Sequence, residues 1–117
     1  MAEHLETGKQ GEEKAKEFLL AKGYEILLAN YRYRHAEIDL IARKDKILIF
    51  VEVKTRSNTS YGMPEEFVDA TKRKLIMKAA ENYIFDTDWH GDIRFDVISV
   101  IVGQNNSKIY HIQDAFY

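Results

Sequence analysis

The sequence predicts one α/β domain in which helices flank a mixed central sheet, with elements in the order α-β-β-β-α-β-β. Three observations carry that expectation. Apolar residues recur at helical spacing in two stretches and at strand spacing in five others. One of the strands is apolar on both faces for most of its length, which puts it inside a sheet covered on both sides. The 117 residues, 45% of them hydrophobic, suit a single ordinary core spanning residues 1–117.

Residues 9–22 read as the first helix, with Ala15, Phe18, Leu19 and Lys22 at helical spacing and Gly23 as a natural stop. Residues 24–30 read as a first strand, 36–43 as a second and 47–54 as a third, the last two joined by the charged turn Arg43-Lys44-Asp45-Lys46. After the polar run Arg56-Ser57-Asn58-Thr59-Ser60 a second helix is expected. Pro64 suits its first turn, and Glu65 and Glu66 suit the positive end of its dipole. It runs to about Phe85, with Val68, Leu75, Ile76, Ala79, Ala80 and Tyr83 as the buried stripe. Residues 94–102 give a fourth strand, Gly103-Gln104-Asn105-Asn106 a turn, and residues 108–112 a short fifth strand at an edge.

Composition narrows the class. There is no cysteine, so the fold relies on packing and asks for no oxidising compartment. No apolar run approaches the ~18–20 residues that span a bilayer, and Met1-Ala2-Glu3-His4-Leu5-Glu6 lacks the charged start and apolar stretch of a signal peptide. A cytoplasmic protein without membrane contact is the expectation. The net charge of −2 runs against the basic footprint of most nucleic-acid binders. A site built of carboxylates lowers net charge by itself, however, and a bound divalent ion offsets it locally.

The chemistry concentrates in the third strand. Side chains alternate faces, so Ile47, Ile49, Val51 and Val53 share one, while Leu48, Phe50, Glu52 and Lys54 share the other. Charged groups on an inward face cost free energy unless they are paired, metal-bound or at a cleft. In the second strand Ile38, Leu40 and Ala42 share one face, and Glu37, Asp39 and Ile41 the other. A hairpin turning near Asp45-Lys46 sets Asp39 opposite Glu52 to within a residue, about 4.5–5.5 Å apart at Cβ. Carboxylates that close repel unless a cation or proton lies between them. Paired carboxylates with open positions are what Mg²⁺ uses, and Mn²⁺ suits the same oxygens. A lysine two residues on can hold an attacking water or offset phosphate charge. Glu12 lies on the buried stripe of the first helix and is a third acid facing the sheet, whereas Glu13 falls on the solvent side with Lys16 and Glu17.

Each signal has a plain alternative. Glu-x-Lys arises by chance in about a third of chains this long, and Glu12-Glu13-Lys14 is a second copy that cannot be the same site. Glu52 and Lys54 could end a strand in solvent as an ordinary ion pair, worth roughly 0–1 kcal/mol. Asp39 could simply accept backbone hydrogen bonds, and Glu12 could stabilise a helix start. Strand parity, the hairpin acid and the inward glutamate together favour the site.

The segments Ala36-Glu37-Ile38-Asp39-Leu40-Ile41-Ala42-Arg43 and Ile49-Phe50-Val51-Glu52-Val53-Lys54-Thr55-Arg56 resemble the uncharacterised YraN-like proteins of bacteria, predicted endonucleases related to archaeal Holliday-junction resolvases. The likeness extends to Gly8-Lys9-Gln10-Gly11-Glu12, Asn30-Tyr31-Arg32, Tyr61-Gly62-Met63-Pro64 and Arg94-Phe95-Asp96-Val97. It implies a restriction-endonuclease-like fold in which Asp39 and Glu52 are metal ligands and Lys54 is the catalytic lysine. Glu12 would match the helical glutamate of the resolvases, as a further catalytic and metal-binding acid. Ala36 stands where the family usually has glycine, a departure that leaves the acids intact. Resolvases resembling this chain act as dimers, so a homodimer is expected by analogy alone.

Basic residues outside the acids are candidates for nucleic acid. Tyr31-Arg32-Tyr33-Arg34-His35 interleaves rings and cations, which can stack bases and hold phosphates. Arg56 follows Lys54 at the exit of the third strand, and Lys72-Arg73-Lys74 and Lys78 lie on the second helix. Lys72 points toward the sheet, where its stem can also simply line apolar surface with the amine in water. Two functions follow: a Mg²⁺-dependent phosphodiesterase acting on DNA, or a catalytically silent nucleic-acid-binding or protein-interaction module on the same fold.

Overall fold

A computed structural model describes residues 2–56, 69–103 and 106–116. Helix α1 (Ala2–Ala21) is followed by strands β1 (Glu25–Tyr33), β2 (Ala36–Lys44) and β3 (Ile47–Arg56), helix α2 (Ala70–Thr87), and strands β4 (Asp92–Val102) and β5 (Ser107–Phe116). The five strands lie in sequence order in one sheet, antiparallel except for the parallel pair β3–β4. A parallel pair needs a crossover connection, and α2 lies in the one between β3 and β4. This is the expected α/β order and is consistent with a restriction-endonuclease-like fold.

Each helix covers one face, so the core has two layers. Ala15 and Leu19 of α1 pack with Leu40, Ala42, Ile49, Val51, Ile98 and Val100. Ile76, Ala79 and Ala80 of α2 pack with Ile41, Leu48, Phe50, Phe95 and Val97. The central strand β3 feeds both layers from alternate residues, as a strand covered on both sides must. Two of the connections are tight. Asp45 takes a left-handed φ of 56° between β2 and β3, and Gly23 ends α1 with φ 90°, a conformation that favours glycine.

Five expectations change. Helix α1 begins at Ala2 rather than residue 9, and β5 is ten residues long and runs to Phe116. Helix α2 starts at Ala70, because extended Asp69 caps it and its carboxylate accepts the Lys72 N–H at 2.8 Å. Pro64, Glu65, Glu66, Val68 and the polar run 57–60 lie outside the described residues. Leu75 stands 37% exposed, one position off the stripe formed by Ile76, Ala79, Ala80 and half-buried Tyr83. Ile38 joins the α2 layer although Leu40 and Ala42 belong to the α1 layer. Alternation fails there because the β2–β3 ladder stops at Leu40↔Val51 and Asn30, opposite Asp39 in β1, has a left-handed φ of 57°.

Candidate active site

Asp39 and Glu52 meet where β2 and β3 part. The register runs from Lys44↔Ile47 to Leu40↔Val51, so the next step sets Asp39 against Glu52. That rung is missing, and the Asp39 carboxylate accepts the Val53 backbone N–H at 2.8 Å. A side chain thereby satisfies a donor that the parting strands would leave open. Glu52 is buried, with 5% of its surface exposed, and Asp39 is half-buried.

The two acids face a pocket of about 320 Å³. His35 of the β1–β2 turn and Ala36 and Glu37 at the start of β2 wall it on one side, and Lys72, Leu75 and Ile76 of α2 on the other. The displacement of Leu75 from the buried stripe is therefore useful, because it forms a pocket wall. The Lys72 ammonium is ion-paired with Glu52. Asp69 fixes the first turn of α2 by capping at the Lys72 N–H, so one cap both starts the helix and sets the stem that reaches Glu52.

Charge in this pocket is under-compensated. Burial and the charge of Glu52 push the Asp39 carboxyl up to about 8, helped by a hydrogen bond to Glu52 and the charge of Glu12, and opposed by the Val53 N–H. Burial works to lower the Lys72 pKa, but the hydrogen bond and charge of Glu52, with the charges of Asp39 and Asp69, raise it above the ordinary value. Two adjacent carboxylates facing one pocket are an oxygen-donor set that fits a hard divalent ion such as Mg²⁺ or Mn²⁺.

Glu12 reaches this field through a close helix–strand contact. A Cβ on buried Gly11 would lie 1.8 Å from Thr55 Oγ1, so only glycine lets α1 come down on the end of β3 here. Glu12 is half-buried, while Glu13 turns out to pair with Lys16 at 3.5 Å. Among the described residues, no group of three or more Asp, Glu, His or Cys side chains is drawn close enough to hold an ion. Asp39 and Glu52 thus form a two-carboxylate set, with Glu12 acting on it by charge.

Lys54 is half-buried two residues beyond Glu52, beside Ser99 of β4 in the register, and does not line the pocket. The ammonium against the carboxylates belongs to Lys72. Arg32 pairs with Glu37 at 3.4 Å on the surface, and the Arg34 guanidinium lies 5.2 Å from the Tyr33 ring. Both flank the His35–Glu37 wall, and half-buried Arg56 ends β3.

A second buried acid escaped attention as a site residue. Asp96, fully buried, takes two hydrogen bonds from Arg94 at 2.8 Å, one from the Asp114 N–H at 3.0 Å, and lies 2.7 Å from His111 Nε2. The sequence signal was the Arg94-x-Asp96 spacing, which puts both side chains on one strand face.

Residues 11–100 match the model of the uncharacterised protein family UPF0102. The chain is 48% identical over 117 residues to a UPF0102 protein of Flavobacterium psychrophilum, covering all of this chain and 98% of that protein. It is 47% identical over 117 residues to one of Christiangramia forsetii, again covering 100% and 98%. A UPF0102 protein of Bacteroides thetaiotaomicron is 46% identical over 117 residues, covering 100% and 97%.

Proposed function

The chain belongs to the UPF0102 family, the uncharacterised YraN-like group, and from that premise we propose that it is a divalent-metal-dependent endonuclease hydrolysing phosphodiester bonds in structured DNA. The observation that carries the reading is the convergence of half-buried Asp39 and buried Glu52 on one pocket, where Lys72 is ion-paired with Glu52. Carboxylates left under-compensated in a cleft are candidates for a functional site.

In this reading Asp39 and Glu52 hold Mg²⁺ or Mn²⁺, and Glu12 adds negative charge from α1. A bound divalent ion supplies Lewis-acid polarisation of the phosphate. Lys54 orients the attacking water or offsets charge that builds on the phosphate. Arg32, Arg34, Arg56 and Lys72 hold the backbone of the strand around the pocket. A homodimer would let two such sites act on the two strands of a symmetric junction. The net charge of −2 and the place of Lys54 outside the pocket favour a second reading, a binding module on the same fold that does not cut.

A nuclease assay separates the two. Linear, flap and junction DNA and RNA are incubated with Mg²⁺ or Mn²⁺ and with EDTA. Cleavage of DNA that EDTA abolishes and Glu52→Gln removes supports the endonuclease. Retention of the substrate without cutting assigns the chain to the binding module.

A further inference from the structure

One contact in the pocket is spent in an unusual way. Lys72 is the cation against Glu52, yet 48% of its side chain is exposed while Glu52 shows 5%. The acid is fixed in the sheet and the lysine is not. Glu52 sits in a ten-residue strand paired on the β4 side through Arg56. Lys72 reaches it from the first turn of a helix, on a flexible four-carbon stem. Its backbone is anchored by the Asp69 cap, so the ammonium can swing without disturbing the helix.

The neighbourhood supplies somewhere else for that ammonium to go. The pocket is open to solvent on the side where His35 and exposed Leu75 stand, and Arg34 lies next along the same turn. A phosphate held there would meet Lys72 at the rim. A divalent ion on Asp39 and Glu52 would repel the ammonium from its present place, since two cations cannot share one carboxylate oxygen at contact distance without strong repulsion.

We propose that Lys72 is an exchangeable counter-cation: its ammonium occupies Glu52 when no divalent ion is bound, gives up that carboxylate when one binds, and is then free to hold a strand phosphate. The proposal rests on the metal-site reading above and adds regulation to it. Ion binding and nucleic-acid binding each favour the released lysine, so each tightens the other by the same factor. The site would load its ion most strongly when a strand is present.

The test is calorimetric titration of Mn²⁺ into the full chain and its Lys72→Met, Lys72→Arg and Lys108→Met variants. Methionine keeps the apolar stem of a half-exposed side chain and should fold. With the competing cation gone, Lys72→Met should bind Mn²⁺ about tenfold more tightly. Lys72→Arg keeps the charge and should stay near the parent, as should Lys108→Met, which removes an exposed lysine of β5. In a second readout, adding Ca²⁺ should tighten binding of a fluorescently labelled DNA duplex to the parent more than to Lys72→Met. If the parent binds Mn²⁺ and Lys72→Met binds it equally or less tightly, the exchange is wrong and the metal site stands. If the parent binds no Mn²⁺, the metal-site reading fails and the exchange fails with it.

Discussion

Two aspartates on this sheet, half-buried Asp39 and fully buried Asp96, are treated in opposite ways. Asp96 is saturated: the Arg94 guanidinium grips it with two nitrogens, His111 and the Asp114 N–H take up the rest, and Arg94 is itself braced by the Tyr24 hydroxyl at 2.9 Å. Burial works to raise the Asp96 pKa, but these partners win and hold it below the ordinary value. Among the described residues Asp39 has one backbone donor, a second carboxylate beside it and no cation of its own, and its pKa rises to about 8. The same side chain is thus a staple in one place and an unresolved charge in the other. Groups that a fold leaves unresolved are where its function is to be sought.

The sharpest contrast is in stability. Asp96→Ala strands a guanidinium and an imidazole against the core, and removing one partner of a buried pair costs about 3–5 kcal/mol. A drop of order 10 °C in melting temperature is expected. Asp39→Asn keeps an acceptor for the Val53 N–H and removes the repulsion, so the metal-free protein should be as stable as the parent or more so. Loss of stability in Asp39→Asn comparable to that in Asp96→Ala would erase the distinction.

Gly11→Ala tests the contact that brings Glu12 toward the site. Its Cβ would meet both Oγ1 and Cβ of Thr55, at 1.8 and 2.9 Å, so α1 must lift. Overpacking of this kind costs about 1–3 kcal/mol. Denaturant unfolding should show that loss, and Gly11→Ala with Thr55→Ser should not fully recover it, since Oγ1 and Cβ remain.

The pH profile should carry the two aspartates with opposite signs. Asp39 keeps its proton in the folded chain up to about 8 and loses it near 3.8 when unfolded. Between those values the folded state holds the extra proton, so stability falls as pH rises, by at most about 1.4 kcal/mol per unit. Asp96 is depressed in the folded state, so its contribution is full above the unfolded value and is lost as pH falls through the folded one. Melting curves from pH 3 to 9 (about six points suffice) should show an acid loss that Asp39→Asn retains, and a neutral-range decline that it abolishes.

The smallest effect is at the helix cap. Asp69→Ala removes the acceptor for the Lys72 N–H and should cost about 1 kcal/mol. It should also weaken the hold of Lys72 on Glu52, a combination seen as a lower melting temperature together with tighter Mn²⁺ binding.

Parity and spacing made much of this legible. The alternation in residues 47–54 put Glu52 on an inward face, and the short turn at Asp45-Lys46 put Asp39 across from it. The Lys72 phase was readable as pointing to the sheet, but its partner was not, because strand-to-helix distances depend on how α2 crosses the sheet. The break of alternation at Ile38 had no local sequence cue, since it comes from two strands separating rather than from a glycine or proline. Leu75 read as core because it is apolar and next to Ile76, and helical phase alone could not tell a pocket wall from the buried stripe. The Asp96 staple needed β5, whose His111 and Asp114 lie 15 and 18 residues away in sequence.

The central claim is that Asp39 and Glu52 form a site for a divalent ion, and thermal melting tests it directly. The parent and Asp39→Asn are melted in EDTA and in millimolar Mg²⁺ or Mn²⁺. At an ion concentration 100 times the dissociation constant, the parent should gain about 2.7 kcal/mol. Asp39→Asn should start at or above the parent in EDTA and gain nothing from the ion. A parent that melts at one temperature in all conditions, or an Asp39→Asn protein that gains as much as the parent, would contradict the account.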